Sequence, residues 1–110
     1  MLDPEHRFYN DLSADEQKHW TSELVKQPAT ASLIPITYAA YRYHPVTYLF
    51  CENDEALLLP WQQGLVKKIE ETSNIHIDTE TCSAGHSPFL GQPETLLNIA
   101  EKIAAARSET

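Results

Sequence analysis

The sequence predicts an α/β fold in which two parallel strands are joined by a crossover helix. One observation is a continuous run of β-branched, aromatic and apolar residues from Val46 to Cys51, typical of a strand covered on both faces. A second is the alternating run from Ile75 to Cys82, typical of a strand near a sheet edge. The third is the amphipathic segment between them, which is long enough for a helix. Two strands joined by a helical crossover lie parallel, and the crossover is right-handed.

The first 45 residues carry helical signals but no good strand. Ser13 and Glu16 match a capping box, in which each satisfies the other's free backbone N–H, so a helix is expected to begin at Ala14 and to end before Pro28. Residues 29–45 mix small and aromatic residues between prolines, which indicates short helical turns. We expect the tyrosines of this segment to line an internal seam or a pocket wall.

Two helices are expected around and after the second strand. Pro60 can open the crossover helix, and Pro93 can open the last helix. Each has an apolar stripe, formed by Trp61, Leu65, Val66 and Ile69 in the first and by Leu96, Ile99, Ala100 and Ile103 in the last. The chain therefore divides into a largely helical segment, 1–45, and a βαβα unit, 46–110.

Two parallel strands are too few for a stable sheet, because parallel strands occur in larger sheets with both faces covered. The apolar strand 46–51 therefore needs a neighbour on its other edge. That neighbour would come from a missing segment or from another chain, since the first 45 residues offer no good strand. The sequence thus predicts either a part of something larger or a chain that assembles.

Composition excludes some partners. The 110 residues are 42% hydrophobic and 22% charged, which fits one small globular domain. A formal net charge of -8 argues against nucleic acid, because phosphate binding needs clustered lysines and arginines. No apolar run approaches the roughly 20 residues that cross a bilayer, so we expect no membrane partner. The polar, acidic N-terminus lacks a secretory signal pattern, which favours a cytoplasmic location.

A polar turn follows each strand. Cys51 leads into a turn that contains Asp54, and Cys82 leads into a small-residue turn that places His86 just before a helix. The carboxyl ends of parallel strands meet at one edge of a sheet, so these two side chains can approach each other. A carboxylate that accepts a histidine ring N–H fixes its tautomer and supports its positive charge. The pair therefore fits acid–base catalysis.

Other interpretations of these residues stay open. His86 could simply bond nearby backbone, and a loop-tip acid such as Asp54 is often only solvated. Glu52 and Glu55 compete with Asp54 for the acid position. The remaining histidines are expected at the surface or in a seam.

The two cysteines are expected to be reduced and buried at strand ends. Together with His86 they would offer a metal two sulfur ligands and one nitrogen. However, the chain has no close Cys-x-x-Cys or His-x-x-x-His spacing. We therefore expect no metal and no cofactor.

The two turns resemble the C-terminal part of the α/β-hydrolase fold, as found in single-domain serine hydrolases and esterases. The resemblance rests on Glu52-Asn-Asp54 and on Ala84-Gly-His-Ser-Pro-Phe-Leu90 with Pro93-Glu94, in the order of that family's acid and histidine. It implies a partial α/β-hydrolase fold with Asp54 as the triad acid and His86 as the general base.

The same resemblance gives the first segment a place in the fold. Residues 8–45 would be the end of the cap that covers the family's pocket. Phe8-Tyr-Asn-Asp-Leu12 and Trp20 resemble the last cap helix, and Tyr38-Ala-Ala-Tyr41 resembles the return to the core.

The chain departs from the family in one decisive respect. It has no Gly-x-Ser-x-Gly turn, so it carries the acid and the histidine but no nucleophile elbow. The resemblance implies cleavage of an ester, thioester or related acyl bond of a small molecule, with the chain inactive alone. One alternative is a shortened, non-catalytic relative that serves as a ligand-binding or assembly module. A weaker one is proton transfer by His86 without an acyl intermediate.

Overall fold

The structure is a computed structural model that describes residues 3–108 of the chain. Its elements, in chain order, are helix α1 (Pro4–Tyr9), helix α2 (Ala14–Ser22), two short 3-10 turns (Ala29–Leu33 and Ala40–Arg42), strand β1 (Thr47–Cys51), helix α3 (Leu59–Ser73), strand β2 (Asp78–Cys82), helix α4 (Pro88–Gly91) and helix α5 (Pro93–Ser108). The fold is mixed α/β, as predicted. Among the described helices, none has the length and apolar character that a bilayer span requires.

Strands β1 and β2 lie parallel, with Thr47 opposite Asp78 and Cys51 opposite Cys82. Helix α3 packs on β1 and forms the crossover between the strands. The sheet formed by residues 3–108 has only these two strands, so the other edge of β1 is unpaired. The first four β1 residues are only half-buried, although their apolar character predicts a strand covered on both faces.

The first two helices are set by their caps. Helix α2 begins at the predicted residue, where the N–H of Glu16 donates to Ser13 Oγ (3.3 Å) and the Ser13 hydroxyl donates to Glu16 Oε1 (3.2 Å). Helix α1 was not indicated by apolar periodicity, because six residues are too few to show a stripe. Asp3 caps it by accepting from the N–H of His6, and Pro4 opens it.

Strand β2 begins at Asp78, whereas the alternating pattern predicts a start at Ile75. Asn74 ends α3 in the left-handed conformation, with φ 51°, and the N–H of Ile75 donates to the Glu70 carbonyl (3.3 Å). The N–H of Ile77 donates to the Glu70 carboxylate (2.9 Å). These two backbone N–H groups bond to Glu70 of α3 and not to β1, so strand pairing begins only at Asp78.

Several large apolar side chains lack the cover that their patterns predict. Trp61 and Leu65 were expected on the buried stripe of α3, but Trp61 is 63% exposed and Leu65 is also exposed. Tyr38 and Tyr43 stack with ring centroids 5.3 Å apart, yet both are largely exposed, so residues 3–108 do not bury these two tyrosines in the predicted internal seam. The accessible surface is 8216 Å², compared with roughly 6,200 Å² for a compact monomer of this mass.

A small apolar core lies at the carboxyl end of the sheet, where Cys51 and Cys82 pack with Ala84 and Leu49. Both cysteines are free and buried, as expected, with their sulfur atoms 3.9 Å apart. Burial, followed by the neighbouring Cys82, raises the pKa of Cys51 to about 12. The Cys51 thiol is therefore protonated and unreactive at ordinary pH.

We expect Cys51 to resist alkylation in the folded chain, because the thiolate is the nucleophile. At pH 8, iodoacetamide should modify it at least about a hundredfold more slowly in native than in urea-denatured protein, measured by peptide mass mapping. The raised pKa also predicts that this group's contribution to stability is full below pH 9.0 and falls as the pH rises toward 12. Equal native and denatured alkylation rates would contradict the burial of this thiol.

Candidate functional site

The turns after β1 and β2 bring Asp54 and His86 into direct contact. His86 Nδ1 lies 2.9 Å from Asp54 Oδ2 and 3.1 Å from Asp54 Oδ1. The Asp54 side chain is 7% exposed and the His86 side chain is 38% exposed. A carboxylate in this position accepts the Nδ1 proton, which leaves Nε2 of the neutral ring available as a base.

Backbone donors fix the Asp54 carboxylate. The N–H groups of Ala56 and Leu57 both donate to Asp54 Oδ1, at 2.8 Å and 2.9 Å. The neighbouring Glu52 and Glu55 are exposed, and Glu55 lies 3.8 Å from His6. Asp54 is therefore the acid of this turn that the fold holds against the imidazole.

The side chain of Gln62 on α3 bonds to both ends of the turn that contains Asp54, residues 51–57. The sequence pattern did not indicate this role. The Gln62 side chain is 1% exposed and bonds both backbone groups of Cys51: Oε1 accepts from the N–H and Nε2 donates to the carbonyl, each at 3.0 Å. Nε2 also donates to the Leu57 carbonyl at 2.8 Å. One signal could have revealed this position: Gln62 stands one helical turn before the buried Val66.

Hydrogen bonds extend the strand pairing into the two turns. The N–H of Glu52 donates to the Cys82 carbonyl (2.9 Å), and the N–H of Asn53 donates to the Ala84 carbonyl (3.1 Å). The Asn53 side-chain amide donates to the Ser83 carbonyl at 2.6 Å. Backbone groups therefore contribute to the spacing between the turn that contains Asp54 (the acid turn) and the turn that contains His86 (the histidine turn).

A second histidine with acidic neighbours lies apart from this pair. Exposed His76 sits between Glu70 (3.3 Å) and Asp78 (3.1 Å) near the start of β2. No group of three or more His, Cys, Asp or Glu side chains within residues 3–108 is arranged to hold a metal ion.

A groove of about 390 Å³ runs between β2 and α5, away from Asp54 and His86. Its charged side chains pair with one another: Lys102 Nζ lies 2.7 Å from Glu80 Oε1, and Arg107 Nη2 lies 3.9 Å from Asp78 Oδ2. The groove therefore offers neither an unpaired charge nor access to His86.

Two curated proteins are similar in sequence to most of this chain. No protein-family model matches the chain. Curated relatives include "Alpha/beta hydrolase nvfD" of Aspergillus novofumigatus, 33% identical over 102 residues, and "Probable hydrolase R7" of a Phoma species, 32% identical over 95 residues. These matches cover 93% and 86% of this chain but 39% of each relative, so the chain spans about two fifths of their length. Both relatives are named as hydrolases.

Two independent findings agree on the family. The parallel strand pair with its crossover helix is the architecture that the hydrolase resemblance implies. The similarity to proteins named hydrolase and α/β hydrolase extends over most of the chain. The mixed α/β architecture of the described residues and the similarity over most of the chain are both consistent with a partial α/β-hydrolase fold.

Proposed function

We propose that this chain supplies the acid and the histidine of a serine-type α/β hydrolase that cleaves an ester or related acyl bond of a small molecule. The observation that carries the proposal is the contact between the buried Asp54 carboxylate and His86 Nδ1 at 2.9 Å. In this proposal residues 46–110 belong to the hydrolase core, and residues 1–45 form a cap-like segment that returns to it.

In this mechanism Nε2 of His86 takes the proton of a serine hydroxyl as that oxygen attacks the acyl carbon. The resulting imidazolium gives the proton to the departing alcohol, which leaves an acyl-enzyme. His86 then deprotonates a water that cleaves the acyl bond and returns the proton to the serine. Asp54 keeps its negative charge throughout and stabilises the imidazolium.

The nucleophile would come from a segment outside these 110 residues, because the chain lacks a Gly-x-Ser-x-Gly turn. We propose that this segment, in the same protein or in a separate chain, pairs with the open edge of β1. Three features support this: the unpaired edge, the half-buried apolar residues of β1, and an accessible surface well above that of a compact monomer.

The open edge also supports a second candidate function. A non-catalytic relative could use β1 to join two copies of the chain into one sheet and act as an assembly module. Solution mass separates the two proposals: a stable dimer with exchange-protected β1 amides favours assembly, whereas a chain that pairs with a nucleophile-bearing segment favours the hydrolase.

The chain alone is expected to show no turnover of a simple chromogenic ester above that of its His86→Ala variant, because no activated nucleophile is present. His76→Ala, which removes an exposed histidine, should give the same background rate. Adding the segment of nvfD that lies outside the matched region should create activity that His86→Ala abolishes.

Clear turnover by the chain alone, lost in the His86→Ala variant but not in the His76→Ala variant, would contradict the proposal that the nucleophile lies outside these 110 residues. An active combination that does not need His86 would contradict the role of the histidine. Reading the coding region upstream for a Gly-x-Ser-x-Gly turn tests the source of the nucleophile directly.

A further inference from the structure

The end of helix α1 contacts the histidine turn through an aromatic ring. The Phe8 ring stacks on the His86 imidazole, with centroids 5.1 Å apart and an angle of 29° between the planes. The buried Ser87 hydroxyl, next in sequence to the histidine, donates to the Phe8 carbonyl at 2.8 Å. Phe8 therefore contacts the imidazole face and the backbone that carries it.

The next residues join the same segment to both turns. The Asn10 side-chain amide donates to the carbonyl of Asn53 in the acid turn at 2.8 Å. The Asp11 carboxylate accepts from the N–H of Gly85 in the histidine turn at 3.0 Å. Segment 8–11 thus bonds to the residue before Asp54 and to the residue before His86.

Two glycines allow the side chains of Asn10 and Asp11 to approach the backbone closely. A Cβ atom on Gly85 would overlap Asn10 Oδ1, and a Cβ atom on Gly91 would overlap Asp11 Oδ2. A larger residue at either position would have to displace the side chain of Asn10 or Asp11. By contrast, a Cβ atom on Gly64 of α3 would meet nothing within 4 Å.

We propose that segment 8–11 is a positioning element for the acid–histidine pair: Phe8 holds the plane of the His86 ring, while Asn10 and Asp11 hold the acid turn and the histidine turn in register. This proposal rests on the proposed function. The resemblance places the segment in a cap, and its contacts give it a separate task at the site.

The physical need for such an element follows from the exposure of His86. Asp54 fixes one atom of the imidazole, Nδ1, but a hydrogen bond at one atom leaves the ring free to tilt. The His86 side chain is 38% exposed, so solvent and not protein lies against part of its surface. A stacked aromatic ring restricts that tilt and keeps Nε2 aimed in one direction, which proton transfer requires.

Nitrogen-15 NMR of the His86 ring tests the proposal in the full chain. The wild-type chain should show one dominant tautomer, with the proton on Nδ1. Phe8→Leu should broaden the ring signals, because the ring is then free to tilt, and Phe8→Tyr, which keeps an aromatic ring, should restore the wild-type line widths. Phe89→Leu is the matched control, because Phe89 is largely exposed, and it should leave the signals unchanged.

Hydrogen exchange provides a second variant and a second readout. Asp11→Ala should raise exchange at the Gly85 amide at least about tenfold relative to the β1 and β2 amides, because a charged acceptor is lost. Asp15→Ala, which removes an exposed acid of α2, should not do so. This measurement tests the role of segment 8–11 at the histidine turn even if Phe8→Leu fails to fold.

The outcomes separate the two proposals. A wild-type chain without the Nδ1–H tautomer would contradict the acid–histidine pair and with it the proposed function. A wild-type chain with that tautomer, retained in Phe8→Leu with unchanged line widths, would overturn the positioning proposal alone. An unchanged rate of hydrogen exchange at the Gly85 amide in Asp11→Ala would contradict the positioning role of Asp11.

Discussion

Replacing Asp54 with asparagine is expected to lower kcat of the assembled hydrolase by roughly 10⁴-fold without loss of the fold. Oδ1 of the asparagine can still accept from the N–H groups of Ala56 and Leu57, which bond that oxygen in the native turn. Its amide nitrogen would then replace Oδ2, which lies 2.9 Å from His86 Nδ1. An amide donor there places the imidazole proton on Nε2, so the ring no longer acts as a base.

Two measurements check this prediction. Ester turnover by the chain combined with a nucleophile-bearing segment reports kcat, and nitrogen-15 NMR of the chain alone reports the move of the proton from Nδ1 to Nε2. Glu55→Gln is the matched control, since Glu55 is an exposed acid of the same turn, and its kcat should stay within about twofold. Retention of both kcat and the Nδ1–H tautomer in Asp54→Asn would exclude Asp54 as the triad acid.

The Gln62→Leu substitution is expected to destabilise the chain by about 3 kcal/mol, because it leaves the Cys51 N–H and the Leu57 carbonyl without this partner. Gln62 satisfies the N–H and the carbonyl of Cys51 and the carbonyl of Leu57. Leucine has a similar volume, so the loss arises from unpaired polar groups rather than from a cavity. Urea unfolding followed by circular dichroism measures the change in the free energy of unfolding.

The control for this prediction is the same substitution one residue later. Gln63 is exposed, and Gln63→Leu should change stability by no more than about 0.5 kcal/mol. If Gln62→Leu and Gln63→Leu have equal stability, the amide of Gln62 does not hold the acid turn.

The pairing of Asp54 with His86 was accessible from sequence because it depends on topology. Two strands joined by a helix must return to the same sheet edge, and both residues follow a strand end. The choice of Asp54 over Glu52 and Glu55 was supported only by the family resemblance. In the structure that choice depends on the short Asp54 side chain and on two backbone donors in its own turn, which periodicity does not reveal.

Other features could not be predicted, because they depend on side chains far apart in sequence or on whether another surface covers the apolar residues. The stacking of Phe8 on His86 joins residues that are far apart in sequence, and no local pattern marks it. Apolar patterns correctly identified β1, but they cannot tell whether the cover comes from the same chain. The exposure of Trp61 and Tyr38 shows this limit: hydrophobic side chains indicate that burial is favourable without naming the partner.

The closeness of Asp54 and His86 in sequence has a consequence for folding order. Their contact closes a loop of 32 residues, at an entropic cost of about 3 kcal/mol beyond a constant. The bonds of Phe8 to Ser87 and of Asp11 to Gly85 join residues 79 and 74 positions apart. Local contacts form faster than distant ones, so we expect the acid–histidine pair to assemble with the crossover and segment 8–11 to dock afterwards.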